Sequence, residues 1–240
     1  MNYYFITGTS RGIGQALAEA LLEKTESKVY GFARSNSIQH ERYTHVTMDL
    51  AELSQVKSWK FPAVTDADRI VLVNNAGMLG NVKYAGGLDT AAVINAFHVN
   101  LVAPTILTNN FLAAYAEKKI ELVILNVSSG AAVNPIDGWS IYCASKAGLD
   151  HFSRTVAVEM KEAGLEHVHI FSIAPGIVDT AMQTKIRNAS ELDFSKLQQF
   201  RNYKETGQLL DPRLVALKFI AILANPKKYR ETVFSLKEVS

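Results

Sequence analysis

Residues 126–146 read N-V-S-S-G-A-A-V-N-P-I-D-G-W-S-I-Y-C-A-S-K and join the end of one apolar strand to the start of a helix. The run L-V-I-L at 122–125 predicts a buried strand, and the Gly, Asn, Pro and Asp residues after Ser129 predict a loop. Tyr142 and Lys146 are four residues apart and would share one helix face. A hydroxyl, a phenol and an ammonium group so placed suit proton transfer at a substrate oxygen, because a nearby cation lowers the pKa of a phenol.

Each part of this stretch also has an ordinary structural interpretation. A Tyr-x-x-x-Lys spacing arises by chance in many helices, and a Ser-Ser pair after a strand often forms a turn or caps a helix. Ser128, the neighbour of Ser129, is the second choice for the serine. A catalytic interpretation therefore needs a second, independent motif elsewhere in the chain.

Composition limits the classes of protein that need to be considered. The 240 residues are 48% hydrophobic and 20% charged, as in an ordinary globular protein with a substantial core. The formal net charge of +2 is too small to indicate binding to nucleic acid. Cys143 is the single cysteine, so no internal disulfide can form, and the histidines show no spacing typical of a metal site. We therefore expect neither a metal nor a nucleic-acid partner.

The N-terminal sequence MNYYFITGTS bears on where the protein acts. It lacks the charged and then apolar pattern of a signal peptide, and no apolar run approaches membrane-spanning length. A single cysteine also fits a reducing compartment. We expect a cytoplasmic protein with no membrane partner.

A glycine-rich turn near the N-terminus supplies the second motif. The sequence T-G-T-S-R-G-I-G spans residues 7–14, follows an apolar strand predicted at 3–7 and precedes a strong helix former. Glycines at 8, 12 and 14 permit a tight turn and a close backbone approach, and the helix N-terminus offers free N–H groups to a pyrophosphate. The strand before and the helix after are the context that a dinucleotide-binding site requires.

Arg34 follows the second predicted strand, residues 28–33, where a dinucleotide fold selects its cofactor. An acid near this point binds the ribose 2′-hydroxyl of NAD(H), whereas an arginine accommodates the 2′-phosphate of NADP(H). The chain has no acid here, and Arg11 in the glycine turn could converge on the same phosphate. Both arginines could instead be solvated surface residues, but their positions favour NADP(H).

Polar residues mark three further points in the chain. Asp49 and Leu50 end a strand predicted at 45–48, where a carboxylate could meet an adenine amino group or cap a helix that starts near Leu53. The N-N-A-G turn at 74–77 ends an all-apolar strand at 69–73, of the kind buried in a parallel sheet. In a long helix predicted at 89–116, Asn100 and Pro104 conflict with local propensity, and such conflicts tend to mark functional or strained places.

Strands and helices alternate along the chain, which predicts the fold. Further strands are expected at 168–173 and 232–236, and helices at about 142–163 and 212–223. No repeat or linker interrupts this order, so we expect a single α/β domain over residues 1–240: a Rossmann-type, doubly wound parallel sheet of about seven strands with helices on both faces. Residues 181–210 have mixed polarity and no clean strand, and we predict a helical excursion that covers a substrate pocket.

Taken in order, six motifs resemble those of the short-chain dehydrogenase/reductase family. They are T-G-T-S-R-G-I-G, N-N-A-G, Asn100, Ser129, Y-C-A-S-K at 142–146 and P-G-I-V-D-T at 175–180. The resemblance covers nearly the whole chain, and six ordered motifs are far more specific than any one of them. Within the family, residues 128–146 are similar to the sepiapterin reductases and closer still to the bacterial benzil reductases, which share the pattern S-G-A-x-x-N-P-x-x-G-W-S-x-Y.

The resemblance implies a role for each matching residue. Tyr142 would be the general acid for a carbonyl oxygen, and Ser129 would hydrogen-bond the same oxygen. Lys146 would hold the nicotinamide ribose and lower the pKa of the phenol, while Asn100 would keep a water that links Lys146 to solvent. The residues that would contact NADP(H) besides Tyr142 and Lys146 are Gly8, Ser10, Arg11, Gly12, Ile13, Gly14, Arg34, Asp49, Leu50, Asn75, Ala76, Gly77, Pro175, Gly176, Ile177 and Thr180.

One departure from the family pattern bears on the substrate. Sepiapterin reductases use an acid near the last strand to bind the pterin amino group, but Ser235 stands at that position here. An apolar aromatic diketone needs no such anchor. Side chains that could form apolar walls of a pocket, or could be ordinary core, are Trp139, Met182, Met78, Leu79, Val133 and Phe200. We therefore expect an NADPH-dependent reductase of a small-molecule ketone or aromatic 1,2-diketone.

Three other functions stay open from the sequence: a sepiapterin reductase, a 3-oxoacyl thioester reductase, and a regulatory protein that senses NADP without turnover. The complete set of Asn100, Ser129, Tyr142 and Lys146 argues against the sensor. The lack of a glycine-rich C-terminus argues against the thioester reductase. The resemblance also implies a homodimer or tetramer that pairs helices including the one with Tyr142.

Overall fold

The computed structural model describes residues 1–239 and places seven strands in one parallel sheet. The strands are β1 Asn2–Thr7, β2 Ser27–Ala33, β3 Tyr43–Thr47, β4 Arg69–Asn74, β5 Glu121–Val127, β6 Val168–Ala174 and β7 Val233–Ser235. Their order across the sheet is β3-β2-β1-β4-β5-β6-β7. The direction of winding reverses between β1 and β4, and in such sheets ligands bind at the carboxyl ends of the strands beside that reversal. The predicted Rossmann-type fold is confirmed.

Helices cover both faces of the sheet because strand residues alternate between them. The helices are α1 Gly12–Leu22, α2 Leu53–Ser58, α3 Thr90–Phe97, α4 Ala103–Tyr115, α5 Ser140–Glu162, α6 Ala181–Arg187, α7 Leu197–Glu205 and α8 Pro212–Ala224. On one face, Ile6 and Val71 lie in a buried cluster with residues of α1 and α8. On the other face, Phe5 and Leu72 lie in a cluster with residues of α4 and α5.

Two element boundaries differ from the sequence-based prediction. The last strand ends at Ser235, because Leu236–Glu238 form a 3₁₀ turn in which the Ser235 hydroxyl accepts the Lys237 N–H at 3.3 Å. The helix predicted at 89–116 is interrupted by a π-helical turn at His98–Val102, which separates α3 from α4. The other predicted strands and helices are present, with ends shifted by a few residues.

The combined stretch Thr90–Tyr115 is long and apolar enough to cross a membrane by length and composition alone. This is a weak indication, because core helices of soluble proteins pass the same test. Here Leu107, Phe111 and Tyr115 are buried against the sheet. The expectation that no apolar run approaches this length therefore needs correction for this one stretch.

Candidate active site

A cleft of about 1330 Å³ opens at the carboxyl ends of the strands beside the winding reversal. The glycine turn, the N-N-A-G turn, the loop after β5, the start of α5 and the 175–180 segment all line it. Of the residues predicted for the site, Gly14 and Asn100 do not line the cleft. Both contribute by packing behind its wall, as described below.

Gly14 is required by a close approach of backbone segments behind the glycine turn. A Cβ at this position would lie 2.3 Å from both the Gly8 carbonyl oxygen and Asn75 Nδ2. The Asn75 amide in turn donates to the Thr7 carbonyl at 2.8 Å. Gly8 has a φ of +76°, in the left-handed region that glycine adopts without strain. The packing of Gly14 against Gly8 and Asn75 therefore fixes the shape of the turn. The side of the turn that lines the cleft is free to contact a ligand.

Thr7 is a residue that the sequence motifs did not single out. Its hydroxyl oxygen accepts the backbone N–H groups of Asn75 and Ala76, each at 3.0 Å. The end of β1 is thereby tied to the N-N-A-G turn after β4, which fixes two walls of the cleft relative to each other. No sequence pattern distinguishes such a threonine from any other residue at a strand end.

Two arginines lie at the open edge of the cleft. Arg34 follows β2, its side chain is 71% exposed, and its Nη1 lies 3.9 Å from an oxygen of Asp49. Arg11 is exposed at the N-terminus of α1. The Asp49 carboxylate accepts the Ala51 N–H at 3.0 Å and does not cap α2, so the capping alternative is wrong. Exposed guanidiniums beside a helix N-terminus fit a phosphate group.

Tyr142, Lys146 and Ser129 come together at the floor of the cleft. Tyr142 and Lys146 are buried on one face of α5, and Lys146 Nζ lies 5.9 Å from the centre of the Tyr142 ring. Lys146 Nζ donates to the carbonyl of Val127, the last residue of β5, at 2.7 Å. Ser129 begins the 3₁₀ turn after β5, where its Oγ accepts the Ala131 N–H at 3.2 Å. The predicted trio is therefore brought together by one strand end and one helix.

Burial shifts the pKa values of this pair in opposite directions. It raises the pKa of the Tyr142 phenol, and the Ser129 hydroxyl lowers it by a smaller amount. It lowers the pKa of Lys146 to about 8, against the opposing effect of the Asp150 carboxylate. Asp150 is buried one helix turn after Lys146 and accepts the Ser172 hydroxyl at 2.6 Å. The pKa of the phenol is thus raised on balance, and its expected lowering by Lys146 stays a prediction.

Asn100 is fully buried in the π-helical turn and uses its side chain to hold a neighbouring loop. Its Oδ1 accepts the Met78 N–H and its Nδ2 donates to the Met78 carbonyl, both at 2.8 Å. The same Nδ2 donates to Ser145 Oγ at 3.0 Å, which joins the turn to α5. Gly77 fits against this junction, since a Cβ there would lie 3.5 Å from both Asn100 Oδ1 and Lys146 Nζ. The expected role with a water stays a prediction.

A chain of buried amides and hydroxyls supports the strand ends beneath the site. Asn74 Nδ2 donates to Asn126 Oδ1 at 2.8 Å, and Asn126 Nδ2 donates to Ser153 Oγ at 2.8 Å. Ser153 Oγ donates to the Leu149 carbonyl within α5. These groups join β4, β5 and α5, so the backbone that carries Ser129 and Lys146 is held from below.

An aromatic cluster, separate from the two sheet clusters, walls the part of the cleft next to Tyr142. Its buried members are Leu79, Ala131, Trp139, Tyr142, Ile186, Phe194, Leu197 and Phe200. Met182 packs against it and lines the cleft, as predicted for a wall residue. Val133 lines the cleft edge but is 75% exposed, so it contributes little wall. The Asp137 carboxylate in the loop before α5 accepts the Ser195 N–H at 2.7 Å and the Ser195 hydroxyl at 3.0 Å, which joins the cluster to that loop.

The arrangement of the His, Cys, Asp and Glu side chains decides whether a metal ion could bind. Within residues 1–239, no three His, Cys, Asp or Glu side chains approach one another in a way that could hold a metal ion. Cys143 is partly buried beside the aromatic cluster.

The parallel sheet has seven strands and a glycine turn after β1, with a serine after the end of β5 and a tyrosine and lysine at the start of α5. These features define a Rossmann-type α/β protein. The family model for short chain dehydrogenases matches residues 2–191. The chain belongs to the short-chain dehydrogenase/reductase family of oxidoreductases.

Relatives of known sequence or structure cover nearly the whole chain. The benzil reductase ((S)-benzoin forming) of Bacillus subtilis is 38% identical over 230 residues, which is 93% of each chain. The sepiapterin reductase of Rattus norvegicus is 32% identical over 240 residues, covering 91% of this chain and 89% of its own. A solved short-chain dehydrogenase/reductase of Saccharomyces cerevisiae superposes with a TM-score of 0.86 at 29% identity, covering 100% of this chain and 97% of its own.

Proposed function

We propose that the protein is an NADPH-dependent carbonyl reductase that transfers a hydride to a ketone or aromatic 1,2-diketone. The observation that carries this proposal is the meeting of Ser129, Tyr142 and Lys146 at the floor of a cleft whose other end holds the glycine turn. The likeness to benzil reductases supports the substrate class. The apolar walls of the cleft fit an aromatic substrate.

The residues around the cleft fit a dinucleotide. The glycine turn and the start of α1 would hold the pyrophosphate, Arg11 and Arg34 would bind a 2′-phosphate, and the 175–180 segment would hold the nicotinamide. Gly12 lies against Thr180, since a Cβ on Gly12 would be 3.3 Å from Thr180 Cγ2, so the two ends of this binding surface touch. A nicotinamide cofactor supplies the hydride when bound.

Tyr142 would donate its phenolic proton to the substrate oxygen as that oxygen gains negative charge. Burial keeps the phenol protonated, which suits a general acid. Ser129 Oγ would donate a hydrogen bond to the same oxygen. Lys146, while protonated, would stabilise the phenolate that remains on Tyr142.

The 181–210 segment and α5 would have roles outside the chemistry, in covering the substrate and in pairing subunits. Residues 181–210, with α6 and α7, would cover the substrate as part of a single domain. A parallel bridge between Val178 and Leu210 ties the end of this segment to the chain just before its start. A homodimer or tetramer would pair α5, whose exposed Ala144 and Ala147 would allow a close helix approach. We place the protein in the cytoplasm.

The test is oxidation of NADPH with benzil, sepiapterin and a 3-oxoacyl thioester, measured for the wild type and for Tyr142→Phe. We expect benzil to be the best of the three substrates and NADPH to be preferred over NADH. Loss of the proton donor should lower kcat/KM by at least about 100-fold. Tyr229→Phe is the matched control, because Tyr229 packs on Phe171 away from the cleft.

Other outcomes would change the assignment. Better turnover of sepiapterin than of benzil would favour the pterin reductase. Tight binding of NADPH without turnover of any carbonyl would favour the regulatory protein. If Tyr142→Phe is as active as Tyr229→Phe, Tyr142 is not the proton donor.

A further inference from the structure

Three buried polar atoms of residues that line the cleft have no hydrogen-bond partner among residues 1–239. They are the hydroxyl oxygen Oγ of Ser128, the indole nitrogen Nε1 of Trp139 and the amide oxygen Oε1 of Gln183. Trp139 is 5% exposed and Gln183 is 7% exposed, and both line the cleft. Nearly all buried polar groups in folded proteins are paired, so an unpaired one that lines a ligand cleft calls for a partner from the ligand.

Trp139 lies close to the reacting centre. It directly precedes α5, and its ring stands perpendicular to the Tyr142 ring with the centroids 5.8 Å apart. Phe194 stacks on the indole at 5.4 Å and Phe200 packs at 5.3 Å, so the ring is held in place from two sides. A substrate whose carbonyl oxygen meets Tyr142 therefore also has atoms beside the indole.

The chemistry and the position of the three unpaired atoms separate their roles. An indole N–H is a donor only, and a second carbonyl oxygen on the carbon next to the reacting carbonyl is an acceptor. The Gln183 oxygen is an acceptor, for which a diketone carries no donor. The Ser128 hydroxyl can also donate, but Ser128 directly follows β5, whereas Trp139 belongs to the aromatic cluster that walls the cleft. Trp139 is therefore the donor that an aromatic vicinal dicarbonyl would meet.

We propose that Trp139 is a specificity-determining residue whose Nε1–H donates a hydrogen bond to the second oxygen of a vicinal dicarbonyl substrate. The site would thereby prefer 1,2-diketones over monoketones of the same shape. A site built to pair a substrate group discriminates strongly against an analogue that lacks it. This inference rests on the proposed carbonyl reductase function.

The experiment compares benzil with deoxybenzoin, which lacks one of the two oxygens, in the wild type, Trp139→Phe and Trp59→Phe. Deoxybenzoin is followed as a substrate or as a competitive inhibitor. Trp139→Phe keeps an aromatic ring and removes the N–H. Trp59→Phe is the matched control, because Trp59 Nε1 is also buried and unpaired but Trp59 does not line the cleft.

We expect Trp139→Phe to lower kcat/KM for benzil about tenfold or more and to change that for deoxybenzoin by less than about threefold. Trp59→Phe should change neither. An equal loss on both substrates would mean that the indole acts by packing alone and would overturn the inference. A Gln183→Met or Ser128→Ala variant that alters the preference when Trp139→Phe does not would also overturn it. If the wild type reduces neither compound while binding NADPH, the proposed function fails and the inference fails with it.

Discussion

At the scale of single residues, burial alone shifts the pKa values of Tyr142 and Lys146, without any bound ligand. Desolvation disfavours the charged form of each group, so it raises the pKa of the phenol and lowers that of the ammonium. Asp150 counters the second effect from one turn along α5. The charge on Lys146 therefore depends on a carboxylate that lines the same cleft.

The first prediction concerns pH. Lys146 has a pKa of about 8 in the folded protein, so it carries its charge below this pH and loses it as the pH rises through 8. If the cation stabilises the Tyr142 phenolate, kcat/KM should fall above about pH 8. Asp150→Asn retains an acceptor for Ser172 but removes the negative charge, so the falling limb should move to lower pH. The measurement is the pH profile of diketone reduction.

Glu159→Gln is the control for this profile, since Glu159 is an exposed acid on the same helix. Its falling limb should coincide with that of the wild type. If kcat/KM of Asp150→Asn falls at the same pH as that of the wild type, or at a higher pH, Asp150 does not set the charge of Lys146.

Some functional residues could be predicted from the sequence and others could not. The four-residue spacing of Tyr142 and Lys146, after a serine at a strand end, is a pattern that the amino-acid sequence alone displays. Thr7, Asn126 and Asp150 have no such pattern, because their partners lie far away in sequence. The pKa shift of Tyr142 also depends on burial, which composition does not give.

At the scale of elements, the π-helical turn at His98–Val102 explains an apparent conflict in the sequence. A polar Asn100 and a Pro104 disfavour a regular buried helix, and the wider turn places the Asn100 amide against Met78 and Ser145. Pro104 is the second residue of α4, directly after this π-helical turn. The conflict could be noticed in the sequence, but the change in helical register depends on tertiary hydrogen bonds.

The second prediction concerns Asn100→Ala. The substitution leaves the Met78 N–H, the Met78 carbonyl and the Ser145 hydroxyl without this partner in a buried place. We expect the free energy of unfolding to fall by about 2–4 kcal/mol, measured by urea denaturation. We also expect kcat/KM to fall at least about tenfold, since the loop at 75–79 would lose its anchor.

Asn109→Ala provides the comparison, because Asn109 is exposed on α4 and its side chain reaches only Asn110, at 3.4 Å. It should change neither quantity measurably. An Asn100→Ala variant with unchanged stability and strongly reduced activity would instead indicate a role confined to the chemistry.

At the scale of the whole molecule, the apolar interior is divided into three clusters. Two lie on the faces of the sheet, and the third joins α6, α7 and the start of α5 over the cleft. The alternation of strands and helices was sufficient to predict the sheet and its two faces. The third cluster was not predictable, because Trp139, Phe194 and Phe200 come from distant segments without a shared periodicity.

The third prediction compares two fully buried phenylalanines. Phe111→Ala in a sheet cluster should lower the free energy of unfolding by about 3–5 kcal/mol and leave the KM of the folded enzyme unchanged. Phe194→Ala in the third cluster should lower global stability less and raise the KM for the diketone, because this cluster can loosen without unfolding the sheet. Denaturant titration and steady-state kinetics measure the two effects. A larger stability loss in Phe194→Ala than in Phe111→Ala would show that the clusters unfold as one unit.

The placement of the two tryptophans has an optical consequence. Trp59 lies between Phe32 and Phe61 on one face of the sheet, at ring distances of 5.0 and 6.2 Å, whereas Trp139 stands beside Tyr142 in the cleft. Since the chain has two tryptophans, Trp59→Phe leaves a single tryptophan, at the place where substrate and reduced nicotinamide would meet. Reduced nicotinamide absorbs light in the range in which tryptophan emits. The protein therefore contains its own reporter, whose quenching would give the occupancy of the cleft in real time without any label.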